Sequence, residues 1–168
     1  MNAINNCVDD LASILLRGEM SQNRSAAVNL AKQKLKELSD INISGKQGRT
    51  LLIHCCAYGY YDLAQFAVDN GADVNLQDKD GFSPLHVAVK MGNCDLVELL
   101  LKKGASPNAK NRFGNTPAFD ASGKWEILKL LLDYGCDVYC KNFSNVSAYD
   151  MILLHPDTLE HFQEYYSK

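Results

Sequence analysis

A basic excess is missing from this chain: its lysines and arginines are outnumbered by aspartates and glutamates, for a formal net charge of −3 at pH 7. Proteins that grip a phosphate backbone displace counterions with clustered cations. The balance therefore argues against nucleic acid and leaves another protein as the expected partner. Also missing is any run near the roughly 18 apolar residues of a membrane span, so no membrane partner is expected. The opening MNAINNCVDDLASILLRGEM puts Asp9 and Asp10 where a secretory leader would carry cations. A cytoplasmic location follows as the expectation, with the six cysteines (Cys7, Cys55, Cys56, Cys94, Cys136 and Cys140) as reduced thiols. None of them forms a CxxC pair, and the chain has no GxSxG elbow, Walker loop or HExxH. Without those arrangements the residue types of an enzyme lack an enzyme's geometry. No catalytic residue, metal ligand or cofactor is expected.

What the chain has instead is self-similarity. GRTLLIHCCAYGYYDLAQFAVDNGADVNLQDKD begins at Gly48, and GFSPLHVAVKMGNCDLVELLLKKGASPNAKNRF begins 33 residues later at Gly81. GNTPAFDASGKWEILKLLLDYGCDVYCKNFS follows from Gly114 and is two residues shorter, the gap lying between Pro117 and Gly123. Each unit reads as two short helices. Ser83 and Thr116 are N-caps, each followed by proline at the first helical position. Gly92 and Gly123 separate the helices, and the second helices carry LVELLL (Leu96 to Leu101) and ILKLLL (Ile127 to Leu132). Gly71, Gly104 and Gly135 then stand where a left-handed residue commonly ends a helix. One helix pair cannot bury such a face alone; stacked neighbours can.

SPLHVAV (Ser83 to Val89) resembles the TPLH element of the ankyrin-repeat family, and NGADVN (Asn70 to Asn75) resembles its second signature. The spacing is that family's period. The resemblance is strong from Gly48 to Ser147 and weak at both ends. It implies an all-α ankyrin-repeat solenoid of about five stacked helix pairs with short β-hairpin loops. Residues 1–47 read as a divergent N-terminal cap, 48–80, 81–113 and 114–144 as repeats, and 145–168 as a C-terminal cap facing water. Within the caps, helices are expected over Asn5 to Arg17, Arg24 to Leu38 and Ser147 to Leu154, and again from Pro156.

Register bears on HCCAYGYY, His54 to Tyr61, which has the residue types of a soft-metal or redox site. Cys55 and Cys56 align with Ala88 and Val89, small core positions of the next unit. Free cysteine serves well as a small buried hydrophobe, and neighbours about 100° apart on a helix chelate one ion poorly. Core filling is the expectation; a metal or redox protein using His54, Cys55 and Cys56 is the rival. By resemblance, His86 bonds the hairpin backbone, and Phe119 removes that tie from the third unit. Cys136 and Cys140 align with Ala105 and Ala109 on a hairpin, where exposure is expected. Trp125 is expected to pack on the convex side, and His155 and His161 to lie on the surface of the C-terminal cap. The two-residue gap is expected to open a notch in the groove, displacing Asp120, Ser122 and Lys124.

The resemblance also implies where recognition lives, at the hairpin tips and the concave face of the inner helices. The tip row reads Lys46, Gln47 and Arg49; then Lys79, Asp80 and Phe82; then Arg112, Phe113 and Asn115; then Phe143, Ser144 and Val146. Phenylalanines recur where solubility alone favours polar residues, and such a row mixed with arginines points to a binding patch. His54, Tyr58, Lys90 and Met91 extend it into the groove. The expected function is a non-catalytic protein-interaction module, monomeric when free, that binds and masks or inhibits one partner. The short array resembles small bacterial ankyrin proteins, some of which are immunity proteins that neutralise a cognate toxin. A viral or effector-type ankyrin protein that captures a host regulator is the alternative.

Overall fold

One kind of helix start recurs along the chain. Thr50, Ser83, Thr116 and Ser147 each hold extended backbone angles immediately before an inner helix. At three of them the side-chain oxygen accepts from the amide three residues on: Ile53, His86 and Asp150. Such a cap satisfies one of the amides that a helix start leaves without an intrahelical partner. Thr116 makes no such bond, and its hydroxyl is buried with no partner.

The computed structural model describes residues 10–16, 23–36 and 40–167. Residues 10–16 are helical (α1) and precede α2 (Arg24–Lys36). The remaining pairs are α3 (Leu51–Tyr58) with α4 (Tyr61–Asp69), and α5 (Pro84–Met91) with α6 (Cys94–Lys102). A 3-10 turn, η1 (Pro117–Ala121), then pairs with α7 (Trp125–Asp133), and α8 (Ala148–Ile152) pairs with α9 (Pro156–Tyr166). The described residues thus form five pairs in an all-α solenoid. The outer parts of the two expected N-terminal helices, at residues 5–9, 17, 37 and 38, lie outside the described residues.

Inner elements stack in one row, α3 on α5, α5 on η1 and η1 on α8, while α2, α4, α6, α7 and α9 stack in the other. One apolar cluster runs between the rows, from Leu11 and Leu15 through Leu52, Leu85, Leu100 and Leu128 to Ile152 and Phe162. Each fully buried leucine contributes about 1.5–3 kcal/mol before entropy is subtracted. In α2 the buried positions are Ala27, Ala31 and Leu35, four residues apart on one helical face.

The loops hold the units together by bonds between units. Asn42 donates to the Gly71 carbonyl and accepts from the Asp73 amide. Asn75 does the same to Gly104 and Ser106, and Asn108 to Gly135 and Asp137. In the fourth position of this series stands Tyr139, 58% exposed and packed on Tyr149. The β-hairpins expected from the sequence are turns: among the described residues there is no strand, only isolated bridges at Ser44–Thr50 and Lys141–Ser147.

The shortened third unit differs from its neighbours. Its inner element is a 3-10 turn in place of an α-helix, and Lys124 reaches back to the preceding unit. The ammonium donates to the carbonyls of Val89 (3.0 Å), Lys90 (3.2 Å) and Asp120 (2.9 Å). It therefore sits on the C-terminal end of α5, where carbonyls lack helical partners and a cation is favoured. Ser122 is buried, and Gly123 lies under the His155 ring, which a Cβ would approach to 3.2 Å. Lys124→Met keeps the apolar stem and removes the donors, so it should lower the urea-unfolding free energy by about 1–2 kcal/mol. An unchanged midpoint would show that these bonds are matched by water in the unfolded chain. Among the described residues, no helix is long and apolar enough to cross a membrane.

Candidate protein interface

The tips are stacked by their own backbones. Lys79 donates its amide to Gln47 (3.0 Å), Arg112 to Asp80 (2.9 Å) and Phe143 to Phe113 (3.1 Å). The second, third and fourth tips are each closed from below by an Asx side chain that sequence reasoning passed over, whereas the first has Gly45 in that place. The Asp78 carboxylate accepts from the Asp80 and Phe82 amides, Asn111 from Phe113 and Asn115, and Asn142 from Ser144 and Val146. A fixed offset carried the signal: Asp or Asn stands three residues before Gly81, Gly114 and Asn145.

On this frame the predicted contact residues separate into distinct environments. Lys46, Gln47, Lys79 and Ser144 are exposed, and neither Lys46 nor Lys79 has an ionic partner among the described residues. Arg112 pairs with the Asp80 carboxylate on the preceding tip, and its guanidinium lies 4.7 Å from the centroid of the Phe113 ring. Phe113 is 48% exposed and Phe143 is 79% exposed. Phe82 lies back into the groove instead, half-buried, with its ring edge-on to His86 at 5.8 Å and Lys90 above it. Arg49 reaches the buried Asp78 carboxylate at 3.4 Å. Asn115 is occupied by the framework: its carbonyl meets His86 Nε2 at 3.1 Å and its side chain accepts from Asn142. Val146 is half-buried, and its carbonyl accepts the Asn142 amide.

Between α3 and α5 the groove holds a cleft of about 170 Å³, lined by Arg49, Ile53, Ala57, Phe82, Val87, Lys90 and Met91. Met91 is 54% exposed at its mouth. On α3, His54 and Tyr58 stack one turn apart, with centroids 6.3 Å apart and planes within 13°.

His86 is positioned for structure. It is buried, with Nδ1 facing the Ser83 amide and hydroxyl and Nε2 facing the Asn115 carbonyl. An amide can only donate and a carbonyl can only accept, so the ring is neutral and carries its proton on Nε2. Burial holds its pKa below the ordinary histidine value.

The apparent metal site becomes core. Cys55 and Cys56 are fully buried, and burial pushes both thiols well above their ordinary pKa, with the neighbouring Cys56 adding to the effect on Cys55. A protonated, dry thiol is a poor ligand and a poor nucleophile. Among the described residues, no group of three or more His, Cys, Asp or Glu side chains is placed to hold a metal. Cys136 departs from expectation: it is buried, and burial pushes its thiol up to about 12. The residue after the left-handed glycine turns inward in every unit, as Ala72 and Ala105 also do. Cys140 is half-buried. Trp125 packs under His161 and edge-on to Tyr165 along the outer row, and His155 and His161 are exposed.

A family model described as ankyrin repeats in three copies matches residues 1–111. The match takes in the N-terminal pair and ends at the hairpin preceding η1. No curated protein matches the chain.

Proposed function

The chain belongs to the ankyrin-repeat family, whose repeats form a protein-interaction module, and from that premise we propose that it binds one protein through its stacked tips and inner groove and masks the surface it covers. The observation that carries this reading is the pair of exposed rings at the tips. Phe113 and Phe143 are both outside the core, and Arg112, paired with Asp80, lies over the Phe113 ring. Aromatic and arginine side chains dominate interface energetics, and a rigid backbone lowers the entropy lost on binding. Lys46, Gln47 and Lys79 continue the tip surface, and His54, Tyr58, Lys90 and Met91 carry it into the groove. Asn115 and Arg49 serve mainly to hold neighbouring tips in place. Residues 1–47 and 145–168 act in this reading as the caps of repeats 48–80, 81–113 and 114–144. Masking without chemistry makes the protein an inhibitor, in the form of an immunity protein that neutralises a cognate toxin in the cytoplasm.

The test uses the full chain. A partner captured from the source cell is purified and titrated by calorimetry against wild type and against Phe113→Ala, Arg112→Ala and Phe143→Ala. Each should weaken binding about tenfold while helicity and melting stay nearly unchanged. If all three bind as tightly as wild type, the tips are not the interface.

A further inference from the structure

The two faces of the stack differ in charge. In the outer row, α2 at its head carries Arg24, Lys32, Lys34 and Lys36 and no carboxylate, whereas α4, α6, α7 and α9 carry nine carboxylates against two lysines. The tips and groove of the first three hairpins carry the reverse, with Lys46, Lys79 and Lys90 joined by Arg49 and Arg112. The acids among them, Asp78 and Asp80, are already paired with the two arginines. Lys46, Lys79 and Lys90 are exposed and have no ionic partner among the described residues. In a chain of net charge −3, this concentration of cations is local. The cleft at its centre has an apolar floor of Ile53, Ala57 and Val87, with Lys90 and Arg49 at its sides.

Resting on the interface reading above, we propose that the groove receives an acidic segment of the partner protein, which seats one apolar side chain in the cleft between α3 and α5. The apolar floor contributes through burial of that side chain. The three lysines supply attraction and register for the flanking carboxylates. Phosphate alone would gain nothing from the floor, and the carboxylates of α4, α6, α7 and α9 repel a polyanion long enough to reach them.

The probe is a fluorescein-labelled twelve-residue peptide with a central leucine flanked on each side by glutamates, titrated with the full chain by fluorescence anisotropy. Comparators replace the glutamates by glutamine, or the leucine by serine. Both comparators should bind at least about tenfold more weakly. The double variant Lys79→Glu, Lys90→Glu changes two exposed side chains, and it should lose about tenfold in affinity for the acidic peptide. Raising the salt should weaken the wild-type complex. No binding, equal binding of the glutamine peptide, or equal binding by the double variant would overturn the proposal. So would equal affinity for a single-stranded oligonucleotide of the same length, which would assign the cations to phosphate. If these arms fail while Phe113→Ala and Phe143→Ala still release the captured partner, the interface stands and only the occupant's chemistry is wrong. If those alanine variants hold the partner normally, the interface itself is misplaced.

Discussion

Gly81→Ala should lower the unfolding free energy by about 3 kcal/mol or more, whereas Gly104→Ala should cost only about 1 kcal/mol. Both glycines are left-handed, with φ of 79° and 88°, so both substitutions carry the backbone penalty of a Cβ in that region. The difference lies in what the new methyl meets. At Gly104 nothing stands within 4 Å. At Gly81 the Cβ would lie 2.9 Å from the Arg112 nitrogen and 2.9 Å from the Asn111 Cα, both backbone atoms. That approach is imposed by the bond from the Arg112 amide to the Asp80 carbonyl, which draws one tip onto the next. Relief requires separating the tips, so the bond and the packing beneath it are lost together. Asn145 supports the argument: it occupies the corresponding place on the fourth hairpin at φ 62°. Among the described residues no further tip is stacked on it, so only the backbone angle is demanded, and asparagine tolerates that angle. Urea denaturation of the two variants is the check, and equal losses would show that the approach between tips adds nothing.

His86→Phe should destabilise the protein by about 2–4 kcal/mol, because it leaves the Ser83 amide and the Asn115 carbonyl without their buried partner. The third unit carries a natural version of that change: Phe119 stands where His86 does, and the Thr116 hydroxyl beneath it is the one buried polar side-chain atom found without a partner among the described residues. The variant also carries a signature in pH. Burial lowers the folded-state pKa of His86, partly offset by the Asn115 carbonyl and the charges of Asp120 and Asp78. The unfolded chain, with an ordinary pKa of about 6.5, therefore takes up its proton first as pH falls. The stabilisation is complete above about 6.5 and is lost as pH drops toward the folded value. Unfolding free energies measured from neutral pH down to about 5 should decline less steeply in His86→Phe than in wild type. Parallel declines would mean that another group sets the pH dependence.

The array, its period and the identity of the core were legible because they depend on contacts each unit makes in the same way as its neighbours. Ser83 before Pro84 starts a helix, leucines four apart make a face, and Cys55 and Cys56 stand where Ala88 and Val89 stand. Those are short-range rules acting on a repeated frame. The tip residues obeyed no such rule, although Phe82, Phe113 and Phe143 read as one row. The structure turns Phe82 into the groove beside His86 and places Phe113 under Arg112. Phe143 is the most exposed of the three. Lys124 likewise read as displaced by a gap, and it reaches back to the carbonyls of Val89 and Lys90.

By itself, then, the sequence determined that the chain is a stack of helix pairs, where its helices begin, and that Cys55 and Cys56 stand in register with the core positions Ala88 and Val89. Only the tertiary structure decided which charges are already paired, which rings remain at the surface, and how the shortened unit closes. The reason is distance. A helix start or a buried face is specified within a few residues of chain, whereas Arg112 meets Asp80, and Lys124 meets Val89, across neighbouring units. How closely those units approach is set by the packing of the whole stack.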